Sequence, residues 1–421
     1  MSFKIEQAQV ARRITLVAAL GYFVDVFDII LFNAVKNPSL TDLGAQPDAL
    51  FGLGLRIQNW QVAGLLIGGL LWGILGDKRG RLSVLFGSII TYSLANLLNV
   101  FVEDLAGLMP FWDVFTWYSV LRLLAGIGLA GELGAGVTLV AETMARDRRG
   151  LGTMIITAVG VLGGVTAAIV GKFLDWQTAY LLGGIMGLFL LFLRAGTLES
   201  EMFERLLYND QVQKGNLALL LTHPKRLSVY IRSILIGLPV WFAGGIVMPN
   251  ANFFARELQT TAPIHLNDTM ILFYIGLSMG DISSGSLSQF LRSRRKALLI
   301  FLAAMIPVYG TFFAFRGYPV WVYGVYLFLM GYLSGYWAVF NATASELFGT
   351  NLRSTVSNSV PNIVRGMLIP MVFAFETLMR NLGGAKVQAA AIVGFFVILV
   401  AIVAAWSIEE TFDKDLNYVD Y

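Results

Sequence analysis

Residues 121–136 read LRLLAGIGLAGELGAG, an apolar, glycine-rich run that carries two opposite charges, Arg122 and Glu132. Inside a lipid bilayer, a charged side chain costs about 2.5 to 3.5 kcal/mol on insertion scales. If this run crosses a membrane, both side chains are expected to face a partner or a water-filled cavity rather than lipid. They are therefore the first candidates for a transport site.

The composition places this run in an integral membrane protein. Of the 421 residues, 57% are hydrophobic and only 14% are charged, and the mean hydropathy is +0.70. Apolar runs of about 20 residues, the length that crosses a bilayer, recur along the whole sequence. We interpret the net charge of +3 as a signal of membrane topology, not of nucleic-acid binding.

The residue types present exclude several kinds of site. The chain has no cysteine and only two histidines, which excludes disulfides and thiolate metal sites and leaves little for imidazole ligands. The sequence contains no phosphate loop, no nucleotide-binding segment and no Ser-His-Asp arrangement. No enzymatic activity, no cofactor and no metal site is therefore predicted.

The apolar runs predict an all-α, polytopic membrane protein with twelve transmembrane helices. An even number of helices places both termini on the same side of the membrane. If that side is the cytoplasm, inner segments hold 21 of the 30 basic residues and outer segments hold 7, which is the bias expected of cytoplasmic segments. The short loops and tails suit the inner membrane of a bacterium. The predicted helices are 14–35, 57–76, 82–102, 114–141, 151–173, 177–196, 228–250, 269–290, 297–316, 319–345, 355–379 and 388–408.

The longest internal polar segment divides these helices six and six. We predict an N-terminal six-helix bundle over residues 1–198, a cytoplasmic linker over 199–227, a C-terminal six-helix bundle over 228–411 and a cytoplasmic tail over 412–421. Two patterns indicate that the halves are pseudo-symmetric repeats. Three glycines of the second helix, Gly64, Gly68 and Gly73, recur 212 positions later in the eighth helix as Gly276, Gly280 and Gly285. A Glu-x6-Arg pattern, Glu142 with Arg149, recurs 204 positions later as Glu346 with Arg353.

A signature lies between the second and third helices, where residues 73–81 read GILGDKRGR. This segment resembles the GxxxD(R/K)xGR(R/K) signature of the major facilitator superfamily. The resemblance implies a cytoplasmic latch for one conformation, built from Gly73, Asp77 and Arg81. Gly73 would permit close helix contact, and Asp77 would pair with basic or helix-N-terminal groups across the interface of the bundles. The alternative is a basic loop that only sets topology.

The first and fourth helices extend the resemblance. Arg122, Gly126, Gly128 and Glu142 have the spacing R-x3-G-x-G-x13-E of sugar porters, and residues 131–134, GELG, look like the GGEWG segment of metabolite:proton symporters. Residues 21–32 resemble that group's GNxxEWYDFxxY pattern, with Asp25 at the Glu position and Asp28 at the Asp position. Tyr22, Val26 and Leu133 depart from these patterns.

Depth along the helices separates the buried charges into two layers. At 1.5 Å per residue, Asp28 and Arg122 fall in the outer half of the membrane, whereas Asp25 and Glu132 fall near its midplane. We hypothesise that Asp28 pairs with Arg122 and that protonation of Asp28 releases Arg122, which couples proton movement to substrate movement. The same pairing is implied by the sugar-porter resemblance. Two alternatives are a static buried ion pair and binding of a substrate carboxylate by Arg122.

Further candidates lie on the helices expected to line a cavity between the halves. Arg365 belongs to a polar helix interrupted by Pro361 and Pro370, as expected of a helix that lines a cavity. Aromatic and amide side chains could supply walls and hydrogen bonds to a small substrate. The predicted substrate-binding set is Arg122, Arg365, Tyr274, Asp281, Asn250, Tyr336, Trp337, Asn341 and Asn362, and the predicted cytoplasmic gate adds Glu142, Arg149, Glu346 and Arg353.

These inferences predict a monomeric secondary transporter that carries a small polar metabolite by proton-coupled symport and alternating access, with organic acids favoured by the two arginines. Three alternatives within the class are a sugar or zwitterion substrate, a cation or metal bound by the acidic side chains, and export by antiport. The fifth helix lacks the proline of the drug-antiporter GPxxGG pattern, which disfavours export. A non-transporting receptor is the alternative from a different class.

Overall fold

The computed structural model describes residues 2–47, 49–144, 149–194, 220 and 222–418, which fold into α-helices joined by short turns. The first half contains α1 Ser2–Asp42, α2 Leu50–Arg79, α3 Arg81–Val100, α4 Val102–Leu108, α5 Val114–Leu129, α6 Glu132–Thr143, α7 Arg149–Phe173 and α8 Trp176–Arg194. The second half contains α9 Pro224–Phe242, α10 Ala251–Glu257, α11 Leu266–Leu291, α12 Arg294–Ala314, α13 Val320–Ser334, α14 Trp337–Glu346, α15 Arg353–Gly366, α16 Leu368–Asn381 and α17 Lys386–Ser407.

These helices form twelve membrane spans, as predicted. Across the described residues, eleven stretches are long and apolar enough to cross a bilayer, and α5 is a shorter apolar helix that α6 continues. Four spans consist of two helices each. We number the spans in chain order: α5 with α6 is span 4, α9 with α10 is span 7, α13 with α14 is span 10, α15 with α16 is span 11, and α4 is a short helix between spans 3 and 4.

Several helices are longer than hydropathy alone predicts. Helix α1 continues to Asp42 rather than ending at residue 35, and α2 begins at Leu50 rather than at residue 57. Hydropathy detects only the part of a helix that lies in hydrocarbon, so polar turns beyond the membrane are missed. Pro224 starts α9, so the last residues of the predicted linker are helical, as proline at a first helical turn allows. Residues 199–219 lie outside the described part of the chain.

Because the number of spans is even, the first and last spans have their chain termini on the same face of the molecule, which we call the terminal face. The terminal face carries the start of span 1, where the Thr15 hydroxyl contacts Met144 Sδ at the end of α6, and the C-terminal segment 408–418. The opposite face carries the connections between spans 1 and 2, 3 and 4, 5 and 6, and their counterparts in the second half.

Packing of small residues reveals the predicted internal repeat. A Cβ atom on Gly64 of span 2 would overlap the carbonyl oxygen of Leu123 in span 4, and one on Gly276 of span 8 would overlap that of Phe328 in span 10. The second-half partners are displaced by 212 positions in one helix, as predicted, and by 205 in the other, one more than the predicted 204. Two further pairs repeat in the same way, Gly68 on Ile127 with Gly280 on Tyr332, and Gly126 on Gln61 with Gly331 on Phe273.

Substitution of one of these glycines is expected to destabilise its bundle. Gly64→Ala places a methyl group against a backbone carbonyl that cannot rotate away, and overpacking of this kind costs about 1 to 3 kcal/mol. We expect a lower thermal transition in detergent, measured by fluorescence-detected size exclusion. Gly54→Ala, on the same span, is the control because its Cβ would meet side-chain atoms only at 3.7 Å or more. Equal transitions for the two variants would contradict this packing account.

Four spans contain breaks, and those of spans 4 and 10 occur at equivalent places in the two halves. Span 4 is interrupted at Ala130 and Gly131, and span 10 is interrupted at Gly335 and Tyr336. Span 7 contains a π-helical turn over Ala243–Val247, and span 11 breaks at Met367. Breaks inside a membrane free backbone groups that must find other partners, so they are tolerated where protein or a cavity surrounds them.

Candidate functional site

The two bundles meet along two pairs of spans. Span 5 packs along span 8, and span 2 packs along span 11. Small residues bring the backbones close: a Cβ atom on Gly69 would lie 2.8 Å from Cβ of Asn362, and one on Gly164 would lie 2.9 Å from the Tyr274 ring. Any space enclosed between the bundles is therefore bordered by spans of both halves.

A cavity of about 60 Å³ lies between the bundles. That volume holds only a few water molecules, so the passage is narrow in this conformation. Its walls are mostly apolar and aromatic. Among its described lining residues Arg365 is the only charged one: Tyr22, Val26, Ile29, Ile30, Val161, Val240, Trp241, Gly244, Phe273, Tyr274, Leu277, Trp337 and Arg365.

Arg365 is held in place without a carboxylate partner among the described residues. Its Nη1 donates to the side-chain oxygen of Asn362 at 2.9 Å, and its guanidinium lies over the Trp241 ring at 5.7 Å. Its Nε has no hydrogen-bonding partner although the side chain is buried. A buried cation lacking a counter-ion is costly, so an anion in the cavity would be bound favourably by this side chain.

Two aromatic residues join the bundles across the cavity. The indole nitrogen of Trp337 in span 10 donates to the hydroxyl of Tyr22 in span 1 at 3.2 Å. Trp337 also stacks on Phe340, with ring centroids 4.8 Å apart. The break before α14 directs Trp337 at the cavity, which shows how the irregular backbone of span 10 positions an aromatic wall.

The predicted charge cluster of the N-terminal bundle is present, but its two main members are not ion-paired. Asp28 is completely buried beside Gly183 of span 6 and Asn96 of span 3. Arg122 of span 4 is also completely buried, and its Nη1 donates to the side-chain oxygen of Asn96 at 3.0 Å. The structure brings Asp28 and Arg122 into one cluster, and in this conformation Asn96 rather than Asp28 accepts the arginine hydrogen bond.

The other predicted acidic residues are also buried. Asp25 on span 1 and Glu132 at the start of α6 are each 1% exposed. Asp281 on span 8 accepts a hydrogen bond from the backbone N–H of Ala338 at 2.8 Å, close to the N-terminus of α14, where a carboxylate is favourable. None of the three lines the cavity. Asp281 therefore has a role in this structure as a brace for the break in span 10.

Only three of the predicted substrate-binding residues line the cavity: Tyr274, Trp337 and Arg365. Three of the others brace the backbone, since Asn250 donates to Ile246 O, Tyr336 to Ile236 O and Asn341 to Trp337 O. Tyr22 and Phe273, which the sequence did not single out as binding residues, do line it. The available signal was that Tyr22 shares one helical face with Val26, Ile29 and Ile30.

The predicted latch at the terminal face is formed by a carboxylate and a helix N-terminus. Asp77 of span 2 is completely buried and accepts hydrogen bonds from the backbone N–H groups of Ser354 and Thr355 at 3.0 and 2.8 Å and from the Thr355 hydroxyl at 2.6 Å. A Cβ atom on Gly73 would lie 2.8 Å from Cα of Thr355. The side chains of Arg81, Glu142 and Arg149 lie outside the described part.

The second predicted pair of gate residues is Glu346 and Arg353. In the contacts seen here, each binds the C-terminal segment rather than the other. Glu346 forms an ion pair with Arg294 of span 9 at 3.2 Å and accepts from the Thr411 hydroxyl at 2.7 Å. Arg353 donates to the carbonyl oxygens of Phe348 at 3.3 Å and Leu416 at 2.7 Å. Residues 410–418 therefore form a strap across the second bundle at the terminal face.

Glu410 anchors this strap outside the membrane. It accepts from the Ser293 hydroxyl and from the N–H groups of Arg294 at 2.8 Å and Phe412 at 3.0 Å. Burial alone would raise its pKa, but the hydrogen bonds from these donors outweigh burial and hold the pKa of Glu410 below its usual range. The strap is therefore anchored by an ionised carboxylate at neutral pH, and this stabilisation is lost as the pH falls through the depressed pKa.

The opposite face has its own contact between bundles. Lys172 of span 5 forms an ion pair with Asp268 of span 8 at 2.8 Å, and both side chains are about half exposed. A second cavity of about 410 Å³ lies beside it, lined by Lys36, Asn37, Pro38, His265 and neighbouring residues. An exposed pair of this kind is worth little, so within the described part of the chain the opposite face is the more weakly closed of the two.

Comparison with known proteins gives matches along most of the chain. The family model described as Major Facilitator Superfamily matches residues 18–360. A putative metabolite transport protein of Haemophilus influenzae is 26% identical over 83% of this chain and 84% of its own length. The 3-(3-hydroxy-phenyl)propionate transporter of Escherichia coli is 25% identical over 81% of each chain. The solved structure of the proton:xylose symporter XylE bound to 6-bromo-6-deoxy-D-glucose covers 98% of both chains with a TM-score of 0.74 and 16% identity.

Proposed function

This chain belongs to the Major Facilitator Superfamily, and we propose that it is a proton-coupled symporter for small organic acids that carry a planar, ring-like apolar part. Two of its relatives are named as a putative metabolite transport protein and a 3-(3-hydroxy-phenyl)propionate transporter. The observation that carries the finer proposal is the central cavity, where one arginine without a carboxylate partner faces aromatic walls.

The chemistry of the cavity favours a carboxylate with an apolar body. Arg365 offers a planar guanidinium, which suits two parallel hydrogen bonds to a carboxylate. The flat surfaces of Tyr22, Trp241 and Trp337 suit stacking on a ring. The E. coli relative is named for 3-(3-hydroxy-phenyl)propionate, a substrate with both features, which agrees with this assignment by likeness.

The same walls disfavour the alternative substrates. A sugar or a zwitterion needs several hydrogen-bonding groups or a carboxylate for its ammonium, and the described lining has no amide or carboxylate side chain. A metal ion needs a group of ligands, and no group of three or more His, Cys, Asp or Glu side chains occurs within the described residues. We therefore set the cation, sugar and zwitterion alternatives below the organic acid.

Asp28 is the proposed proton carrier. It is a buried carboxylate in the transmembrane region beside a buried arginine, and such groups are kept at a cost that a transport role accounts for. When Asp28 is ionised, Arg122 is attracted to it; when Asp28 is protonated, Arg122 is released to Asn96, as in the conformation seen here. The exchange would change how span 1 sits against spans 3 and 4.

The direction of transport follows from the proposed topology. With both termini in the cytoplasm of a bacterium, the terminal face is the inner one and the weakly closed opposite face is the outer one. The Asp77 latch then seals the inner side while the substrate enters from outside. The proposed cycle is uptake by a monomer, driven by the proton gradient across the inner membrane.

Arg365→Gln is expected to weaken the uptake of aromatic acids strongly. Removing one partner of a buried charge pair costs about 2 to 5 kcal/mol, which is roughly 30-fold or more in apparent affinity. Arg365→Lys keeps the charge but not the planar fork, so its loss should be smaller. Arg380→Gln, an exposed arginine of the same span, is the control and should behave as wild type. Uptake would be measured in proteoliposomes with acid outside.

The choice of probes tests the substrate class in the same experiment. Benzoate, 3-phenylpropionate and nicotinate should be taken up, whereas benzamide and xylose should not, because they lack the anionic group. Accumulation of xylose or of a divalent metal, with no uptake of any acid, would overturn the organic-acid proposal. Absence of both flux and binding for every probe would favour the receptor.

A further inference from the structure

A chain of buried hydroxyl groups runs through the interior of the N-terminal bundle, between the opposite face and Asp28. The Tyr118 hydroxyl lies 2.8 Å from that of Tyr180 and 3.2 Å from that of Ser39. All three side chains are completely buried. We propose that this chain is the route by which protons from the opposite face reach Asp28, and that it is separate from the route of the substrate. The inference rests on the proposed role of Asp28.

Three spans align these hydroxyls with the Asp28 cluster. On span 1, Ser39 follows Asp28 by eleven residues, about three turns and roughly 16 Å, which puts both on one face of the helix. On span 4, Tyr118 lies one turn from Arg122 on the side of the opposite face. On span 6, Tyr180 lies one turn from Gly183, which abuts Asp28. The Arg122 guanidinium lies over the Tyr180 ring at 5.1 Å.

The remaining step, from Tyr180 to Asp28, passes a group of buried polar atoms that make no hydrogen bond. They are both carboxylate oxygens of Asp28, the amide nitrogen of Asn96, and Nε and Nη2 of Arg122. Buried polar atoms are almost always bonded. A site with this many donors and acceptors suits one or two bound water molecules, each of which makes two to four hydrogen bonds. Such water would link the Tyr180 hydroxyl to the carboxylate.

The outer end of the chain lies next to the second cavity. The Ser39 hydroxyl donates to the backbone carbonyl oxygen of Lys36 at 3.0 Å. Lys36, Asn37 and Pro38 line the second cavity, whose volume of about 410 Å³ has space for many water molecules. Ser39 directly follows these lining residues in span 1, and its own side chain is buried.

The proton route and the substrate cavity lie on different sides of span 1. Tyr22, Val26 and Ile29 face the cavity between the bundles, whereas Asp28 and Ser39 face spans 4 and 6 inside one bundle. No residue of the hydroxyl chain lines the central cavity. A carboxylate bound at Arg365 would therefore neither block the proton nor compete with Asp28 for it.

Proton movement along the chain leaves every hydroxyl neutral. Ser39 first turns its O–H from the Lys36 carbonyl to the Tyr118 hydroxyl. A hydronium ion that reaches Ser39 from the opposite face then gives it a proton and becomes water. Ser39 passes its own proton to Tyr118, Tyr118 passes its own to Tyr180, and Tyr180 passes its own through the bound water to Asp28. Each oxygen breaks one O–H bond and forms another, and the net change is one proton added to the carboxylate. Rotation of the hydroxyls restores the starting arrangement.

Removal of one tyrosine hydroxyl tests this route. Phenylalanine has no exchangeable proton, so Tyr118→Phe and Tyr180→Phe should slow uptake of 3-phenylpropionate driven by an acid exterior by roughly tenfold or more. Proton entry would be followed with a pH-sensitive dye inside the proteoliposomes. Counterflow exchange of 3-phenylpropionate at equal pH, which moves no net proton, should stay near wild type. Tyr323→Phe is the matched control, because Tyr323 is equally buried and donates to Ala251 O at 2.7 Å in the other bundle.

The outcomes separate the route from the proton site itself. Equal loss of driven uptake and counterflow in the tyrosine variants would mean that the hydroxyls only stabilise the bundle, which overturns the proposal. Wild-type driven uptake in both variants would overturn it too. If Asp28→Asn also accumulates 3-phenylpropionate normally, Asp28 is not the proton carrier, and the proposed route to it is rejected as well.

Discussion

Asp28→Asn is expected to reduce the accumulation of 3-phenylpropionate to the equilibrium level while leaving exchange intact. Asparagine is nearly the same size as a protonated aspartic acid and cannot ionise, so Arg122 should remain with Asn96 as it does here. With one proton per substrate, wild-type protein should accumulate about tenfold for each pH unit of gradient, because one unit corresponds to about 1.4 kcal/mol. The variant should reach a ratio of about one.

The measurement is a paired assay in proteoliposomes. Accumulation is followed with acid outside, and counterflow is followed at equal pH on both sides. Asp104→Asn, on the exposed helix α4, serves as the control for loss of a carboxylate elsewhere. Normal accumulation by Asp28→Asn would remove Asp28 from the coupling mechanism and would leave a static role for the cluster.

The second large effect is expected at the latch, where Asp77→Ala should open the terminal face. The three hydrogen bonds from Ser354 and Thr355 exist only while spans 2 and 11 are in contact. Hydrogen bonds to a charged group contribute about 1.5 to 3 kcal/mol, so loss of one such contribution shifts the ratio of open to closed forms by roughly 10-fold to 150-fold.

Accessibility of a thiol measures this shift. The chain has no cysteine, so a single Ser357→Cys in span 11 can be labelled with a maleimide without any background. Ser357 is 3% exposed in the closed conformation, and its labelling should be slow unless the terminal face opens. Adding Asp77→Ala should speed labelling, whereas adding Asp104→Ala should not. Unchanged labelling with Asp77→Ala would show that other contacts hold this face closed.

The fold and the contact of Asp77 with span 11 were predictable because both depend on local patterns. Hydropathy locates spans, and the spacing of Gly64 and Gly276 with their neighbours marked the repeat that the packing confirms. Asp77 was expected to pair with basic or helix-N-terminal groups across the interface, and it binds the N-terminus of α15. These features need only the identity of nearby residues and the order of the spans.

The cavity was predicted less well, for two physical reasons. Hydropathy cannot distinguish an apolar side chain that faces lipid from one that faces a substrate, so Phe273 gave no signal. A polar residue in a helix can serve a cavity or a helix break, and the break at Gly335 is not visible in the sequence. Asp281 and Asn341 were therefore placed with the substrate, although their hydrogen bonds here go to α14.

The mismatch between the two repeat spacings has a practical consequence. Span 2 and its counterpart are 212 positions apart, but span 4 and its counterpart are only 205 apart, so the first half has seven extra residues between them. Helix α4, Val102–Leu108, is seven residues long and lies between those spans on the opposite face. It accounts for the seven additional residues of the first half. A rigid protein fused within α4 should serve as a fiducial marker for cryo-electron microscopy and leave both bundles undisturbed.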